Sequence, residues 1–262
     1  MLVDRVQRVV SDPEAATMLA LWRLDRDPVA GRVAPERRRE LVADARAAGA
    51  TLARRVRAGQ RGPVEARLGL AGVRIVEDDG TEQAASLIHH AVYTSPPPTV
   101  TLYRRALAAL ERVVNTEGLR ASLGDVDVRE LILTHELFHH VIAREGAPAG
   151  VRPSVDVVRL GPWRRRVTVR AAEEIAAAAF VTTWHQLSWP AGLLDLLTLV
   201  AYDVPPAVIF ATRVEKATSG LKEFQSRGAL APGAHLRPRC STHFSLWLCC
   251  CTATRSSQWR RE

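Results

Sequence analysis

The chain has 262 residues, 47% of them hydrophobic and 5% aromatic, with a net charge of +8, so it can bury a full core and reads as a basic, aliphatic protein. The charge does not mark a nucleic-acid surface. Of the 36 basic residues 34 are Arg, a skew that follows nucleotide composition, and the six Arg beyond residue 226 face one acid and supply +5 of the total. The first residues carry Asp4, Arg5, Arg8 and Asp12 among their apolar positions, which excludes a signal-peptide core, and no apolar run approaches the length of a membrane span. All four cysteines (Cys240, Cys249, Cys250 and Cys251) lie near the C-terminus, so the body has no disulfide framework. A cytoplasmic location is expected, with neither nucleic acid nor membrane as a partner.

In chain order, residues 1–34 read as an N-terminal helical extension, with Met18, Leu19, Leu21 and Trp22 as its apolar pattern and Asp27-Pro28 closing it. Residues 35–220 read as the main domain. Its first helix runs from Glu36 to Ala58, where Leu41, Ala45, Ala48, Leu52 and Val56 recur at helical spacing, and Gly59 and Gly62 end it. A short helix from Pro63 to Leu68 leads through Gly69 and Gly72 to a strand over Val73 to Val76 and an Asp78-Asp79-Gly80 turn. Thr99 to Tyr103 alternates after Pro96 to Pro98 and is expected as an edge strand. Helix returns over Arg104 to Val114.

Asp127 then offers an N-cap, Glu130 three residues on completes a capping box, and Gly146 stops the helix between them. Residues 147–169, with Pro148, Pro153, Pro162 and the run Arg164 to Arg166, read as irregular or a hairpin. Further helices are expected over Arg170 to Leu187, Leu193 to Ala201, and from Pro205-Pro206 to Ala217. Residues 221–262 form a basic, cysteine-containing tail without helical or strand period, expected to be disordered.

The capped helix contains His135-Glu136-Leu137-Phe138-His139. A spacing of four places both imidazoles on one helical face, where a single tetrahedral zinc ion can bridge them. Glu136 can reach a water on that ion and act as general base. The surrounding aliphatics, Leu131, Ile132, Leu133, Val141 and Ile142, leave these polar groups no structural reason to be buried.

A catalytic zinc takes three protein ligands and one water, so a third ligand is required. Glu174 is the leading candidate: it lies on a second helix, in the alanine-rich run Glu174-Ile175-Ala176-Ala177-Ala178-Ala179-Phe180, whose small residues permit a close approach to the first. Glu173 is its neighbour, turned about 100° away, so one of the two can face the metal. Glu145 sits where longer zincin motifs place their last ligand, but Ile142 occupies the position of the glycine that would turn the chain back.

This arrangement resembles the ImmA/IrrE-type, gluzincin-like zinc metallopeptidases, in which a His-Glu-x-x-His helix is followed by a Glu-x-x-Ala-Asn-x-Phe-Ala helix. His135, Glu136 and His139 match the first motif; Glu174, Ala177 and Phe180 match the second, while Ala178 and Val181 stand at its Asn and last Ala. The resemblance covers the order of elements from about residue 36 to 217. It implies an α+β, zincin-like fold, mostly helical with a small sheet. It also implies one Zn2+ per chain held by His135, His139 and Glu174, and hydrolysis of a peptide bond in a protein or peptide substrate, often a regulatory protein.

Two alternatives share the motif: a catalytically silent zinc-binding regulatory protein, and a metal-dependent hydrolase of a non-peptide substrate. Oxyanion donors are sought in His185, Tyr103 and Tyr202, with His185 better read as a packing or surface residue. The expected edge strand Thr99 to Tyr103 could align an extended peptide. His140 is expected to pack or to support a ligand, His89-His90 to be a solvated pair, and the Cys249 to Cys251 run with Cys240 and His243 to bind no metal.

Overall fold

Helices form at the apolar spacings of the N-terminal half. In a computed structural model, which describes residues 2–58, 62–79, 83–84, 87–160 and 163–202, these are α1 (Leu2–Ser11), α2 (Ala15–Asp25), α3 (Pro35–Ala58) and α4 (Val64–Leu70). Strand β1 (Arg74–Asp78) follows, then the short pair β2 (Gln83–Ala84) and β3 (Leu87–Ile88), then β4 (Ala91–Thr94) and β5 (Thr99–Tyr103). The C-terminal half supplies α5 (Arg104–Val114), α6 (Glu117–Leu123), α7 (Val128–Glu145), the antiparallel hairpin β6 (Ser154–Leu160) and β7 (Trp163–Thr168), α8 (Arg170–His185) and α9 (Leu193–Ala201). The described chain is α+β and mostly helical. None of its helices is long and apolar enough to cross a membrane. The helix expected over 205–217, the 221–262 tail with its cysteines, and the Gly59 and Gly80 breaks lie outside the described residues.

The main sheet has the order β1-β5-β4, with β1 parallel and β4 antiparallel to β5. The expectation of an edge strand at Thr99 to Tyr103 is therefore overturned. Val100 and Leu102 are fully buried in the central strand, and the edge belongs to β4, which the triple proline joins to β5 as a turn. Proline cannot donate to a ladder, which confines it to the turn; it does not decide which flanking strand is central.

One core runs through the described chain. Val6 and Val9 of α1 and Leu19 and Leu24 of α2 belong to the same cluster as Phe138 of α7 and Phe180 of α8, so the N-terminal helices share the interior that carries the motif. The rings of Phe138 and Phe180 meet edge-on at 5.6 Å. The small residues of α8 also serve a second neighbour: a Cβ on Gly49 of α3 would lie 2.0 Å from the Ala176 carbonyl oxygen, so α3 and α8 touch backbone to backbone there.

Capping also departs from the local rule. Asp127 accepts the Glu130 N–H at 3.0 Å as expected, but the Glu130 carboxylate does not return to Asp127. It accepts the Val64 N–H at 2.9 Å and so satisfies a first-turn donor of α4, whose N-cap, Pro63, has no side chain to do so. Likewise Val169 at the N-cap of α8 has no capping side chain, and buried Asp27 accepts the Ala171 N–H at 2.8 Å across the chain. Gly146, at φ 87°, ends α7 in the left-handed region that favours glycine.

Gly49→Ala drives a methyl into the Ala176 carbonyl and should lower the unfolding free energy by roughly 1–3 kcal/mol, the usual cost of overpacking. Urea denaturation followed by far-UV circular dichroism measures it, and wild-type stability would show that α3 and α8 can separate without cost.

Candidate metal centre

Four residues along α7, the imidazoles of His135 and His139 leave one face with their Nε2 atoms 3.1 Å apart. The α8 helix brings Glu174 against both: Oε2 lies 3.3 Å from His135 Nε2, and Oε1 lies 3.6 Å from His139 Nε2. A tetrahedral ion with bonds of about 2.0–2.2 Å has donor-to-donor edges of about 3.3–3.6 Å; taking one ligand atom from each of the three residues, the donors lie within 4.8 Å of one another. Two imidazoles and a carboxylate are also the donor types zinc takes in hydrolytic sites. Among the described residues this is the group of three His, Cys, Asp or Glu side chains whose donor atoms converge in this way.

The other two acids separate from it. Glu173 sits behind His139, its Oε1 3.0 Å from Nδ1, and Arg152 holds its Oε2 at 2.8 Å. A carboxylate only accepts here, so Nδ1 carries the proton and the Nε2 lone pair of neutral His139 points at the shared space. Glu145 is exposed and pairs with Arg55 at 2.7 Å, away from the histidines, because α7 continues straight through Ile142.

Glu136 is 2% exposed, and burial pushes its carboxyl above the usual range, while the charges of His135 and His139 oppose that rise. Its carboxylate accepts the backbone N–H of Tyr93 in β4. The Tyr93 hydroxyl in turn lies 3.1 Å from Nδ1 of buried His140. Tyr93 thus fastens the edge strand to the motif helix at two points. The sequence reading missed it because it missed β4; the run Ala91-Val92-Tyr93-Thr94 before Ser95-Pro96 was the available signal.

A cavity of about 70 Å³ is lined by His135, Glu136 and Glu174, with His89, His90, Leu131, Ile132, Val181 and Leu194 among its other walls. The solvated-pair reading of His89-His90 fails here, since both line the cavity and His90 Nε2 lies 3.2 Å from Thr198 Oγ1. Thr198 spends its hydroxyl proton on the Leu194 carbonyl at 2.7 Å, so His90 Nε2 is the donor to Thr198. Burial pushes the His90 pKa down to about 4. His185 packs as expected, with Nε2 2.7 Å from Thr134 Oγ1 on α7. Tyr103 ends β5 and Tyr202 follows α9; neither is among the described residues lining the cavity.

Charge in the centre is strongly coupled. Burial opposes protonation of His139, but the Glu173 hydrogen bond and the charges of Glu174 and Glu136 outweigh it and raise its pKa to about 9. Burial also opposes ionisation of Glu174, yet the His135 hydrogen bond, His139 and Arg23 hold it down to about 2. The metal-free centre therefore keeps a proton where a cation is wanted. Comparisons with protein-family models, curated proteins and solved structures find no match to the chain.

A metal ion bound at His139 Nε2 would displace that proton, so if the group holds zinc its apparent affinity should rise by about tenfold per pH unit from pH 7 towards 9 and then level off. The metal-free protein runs the other way. Because the folded pKa is raised, the stability from His139 is full below about 6.5 and is lost as pH rises through about 9. Chelator-competition titrations at pH 7, 8 and 9 check the first statement, and a flat profile would contradict it.

Proposed function

We propose that the chain is a zinc-dependent metallopeptidase of the gluzincin-like type, with His135, His139 and Glu174 as metal ligands and Glu136 as general base. The observation that carries this reading is that donor atoms of His135, His139 and Glu174 lie within 4.8 Å of one another, with the buried Glu136 carboxylate on the residue after His135 in α7. When bound, zinc supplies an acidified water and a Lewis acid for the scissile carbonyl.

The chain's own groups account for the remaining steps. Glu136, its pKa raised by burial, takes the proton of the attacking water on a carboxylate oxygen and gives it to the leaving amine nitrogen. A hydrogen bond from the Tyr93 N–H favours the ionised form of that carboxylate. Glu173 holds His139 in the tautomer that leaves Nε2 free, and Arg152 holds Glu173. The small cavity beside His135 and Glu174, with Leu131, Ile132, Val181 and Leu194 among its walls, suits an aliphatic side chain next to the cleaved bond. The substrate we infer is a protein or peptide, with a regulatory protein as the first class to test, and the proposed setting is the cytoplasm.

The test uses full-length chain carrying C240S, C249S, C250S and C251S, so that thiols add no zinc. Wild-type residues in the centre should retain about one zinc, as expected of a site with one ion and three protein ligands. Glu174→Ala and His139→Ala should lose it, and Glu145→Ala should keep it. Glu136→Gln should keep the metal and lose hydrolysis of co-expressed candidate proteins by about 10²-fold or more. Zinc-free wild type after reconstitution would reject the metal centre; equal cleavage by Glu136→Gln would reject the assigned base.

A further inference from the structure

Arg23 approaches the centre from α2, the helix expected to belong to an extension. Its Nη2 donates to Glu174 Oε2 at 3.0 Å, and its Nη1 donates to Asp195 on α9. The side chains of Arg23 and Glu174 are 15% and 7% exposed, so both ends of this contact are largely withdrawn from water. We propose that Arg23, tethered by Asp195, is a positioning residue that fixes Glu174 as a metal ligand and makes the N-terminal helix part of the metal centre. This rests on the metal reading above.

The oxygen that Arg23 grips is the one that faces His135 Nε2 at 3.3 Å. A carboxylate free to rotate can offer a metal one oxygen or two. A guanidinium N–H on Oε2 takes one of its lone-pair directions and holds the carboxylate plane, leaving a single orientation toward the histidines. A lone guanidinium beside a divalent cation would repel it. Asp195 cancels that charge and fixes the fork, so Glu174 gains orientation without a net positive neighbour.

The backbone supports the same geometry from the same segment. Asp27, just beyond α2, accepts the Ala171 N–H at the start of α8, the helix that carries Glu174. Helix start and ligand carboxylate are thus both set by residues 23–27. A salt bridge that merely pinned helices together would affect unfolding but not the number of oxygens given to a metal, and that difference is measurable.

Full-length chain in the cysteine-free background is titrated with zinc against a chromophoric chelator, and with Co2+ to read its visible ligand-field bands. Arg23→Met, which keeps the aliphatic stem, should bind zinc about 10–100-fold more weakly, the usual effect of removing a group that orients a ligand. Its Co2+ bands should weaken as Glu174 supplies a second oxygen, with Arg23→Lys restoring part of both. If Arg23→Met does not fold, Asp195→Asn should weaken zinc by about 3–10-fold, a smaller loss because the guanidinium remains. Wild-type affinity and wild-type bands in Arg23→Met, or unchanged affinity in Asp195→Asn, would overturn the proposal while leaving the metal reading intact, provided His139→Ala loses zinc. Failure of the unsubstituted centre to bind zinc would overturn both.

Discussion

Glu174 is a buried carboxylate between two imidazoles, and the arrangement of the rest of the chain follows from keeping it ionised there. An uncompensated carboxylate in a protein interior costs several kcal/mol, more than most single contacts contribute. The fold meets that cost with His135, His139 and Arg23 around the two oxygens, and it does so from two helices, α7 and α2, widely separated in sequence. To bring Glu174 to that point, α8 must lie against α7 on one side and against α3 on the other. Gly49 permits the second contact, and the Phe138–Phe180 pair fills the first.

Residues that answer to local periodicity could be read from the sequence. The apolar spacings gave α3, α5, α7, α8 and α9 within a few residues of their observed ends, because an amphipathic helix declares its buried face every three or four positions. The pairing of His135 with His139 was legible for the same reason, and so was the choice of Glu174 over Glu145, since Ile142 cannot turn the helix. What could not be read are contacts fixed by the tertiary arrangement alone. Arg23 is 172 residues from Asp195, and Asp27 is 144 from Ala171; no sequence period links them. The capping box shows the same limit, for Glu130 had the right spacing to return to Asp127 and is instead taken by the unsatisfied N–H of Val64.

The sheet was misread for a related reason. A four-residue strand such as β4 carries too few positions for alternation to stand out, whereas Thr99 to Tyr103 alternates clearly and so drew the edge assignment. Burial decides otherwise: β5 is central, with Val100 and Leu102 fully buried, and among the described residues β4 pairs with β5 alone. The outward N–H of Tyr93 meets Glu136, so that edge position has a defined acceptor inside the protein.

Glu136 and His140 are one turn apart on α7, and Tyr93 touches both, through its backbone to the first and through its hydroxyl to the second. A shift of β4 along its own axis by one residue would reverse the side on which Tyr93 lies and break both contacts together. The register of β4 against β5, Tyr93 opposite Val100, is thereby coupled to the orientation of the Glu136 carboxylate. The edge strand and the motif helix meet through these two contacts above a core in which Phe138 and Val100 are fully buried, so the position of the carboxylate depends on that packing as well as on the polar contacts. Core substitutions that shift β4 against α7 would move the Tyr93 N–H away from the Glu136 carboxylate without touching a polar residue, because the two ends of that contact lie on different elements.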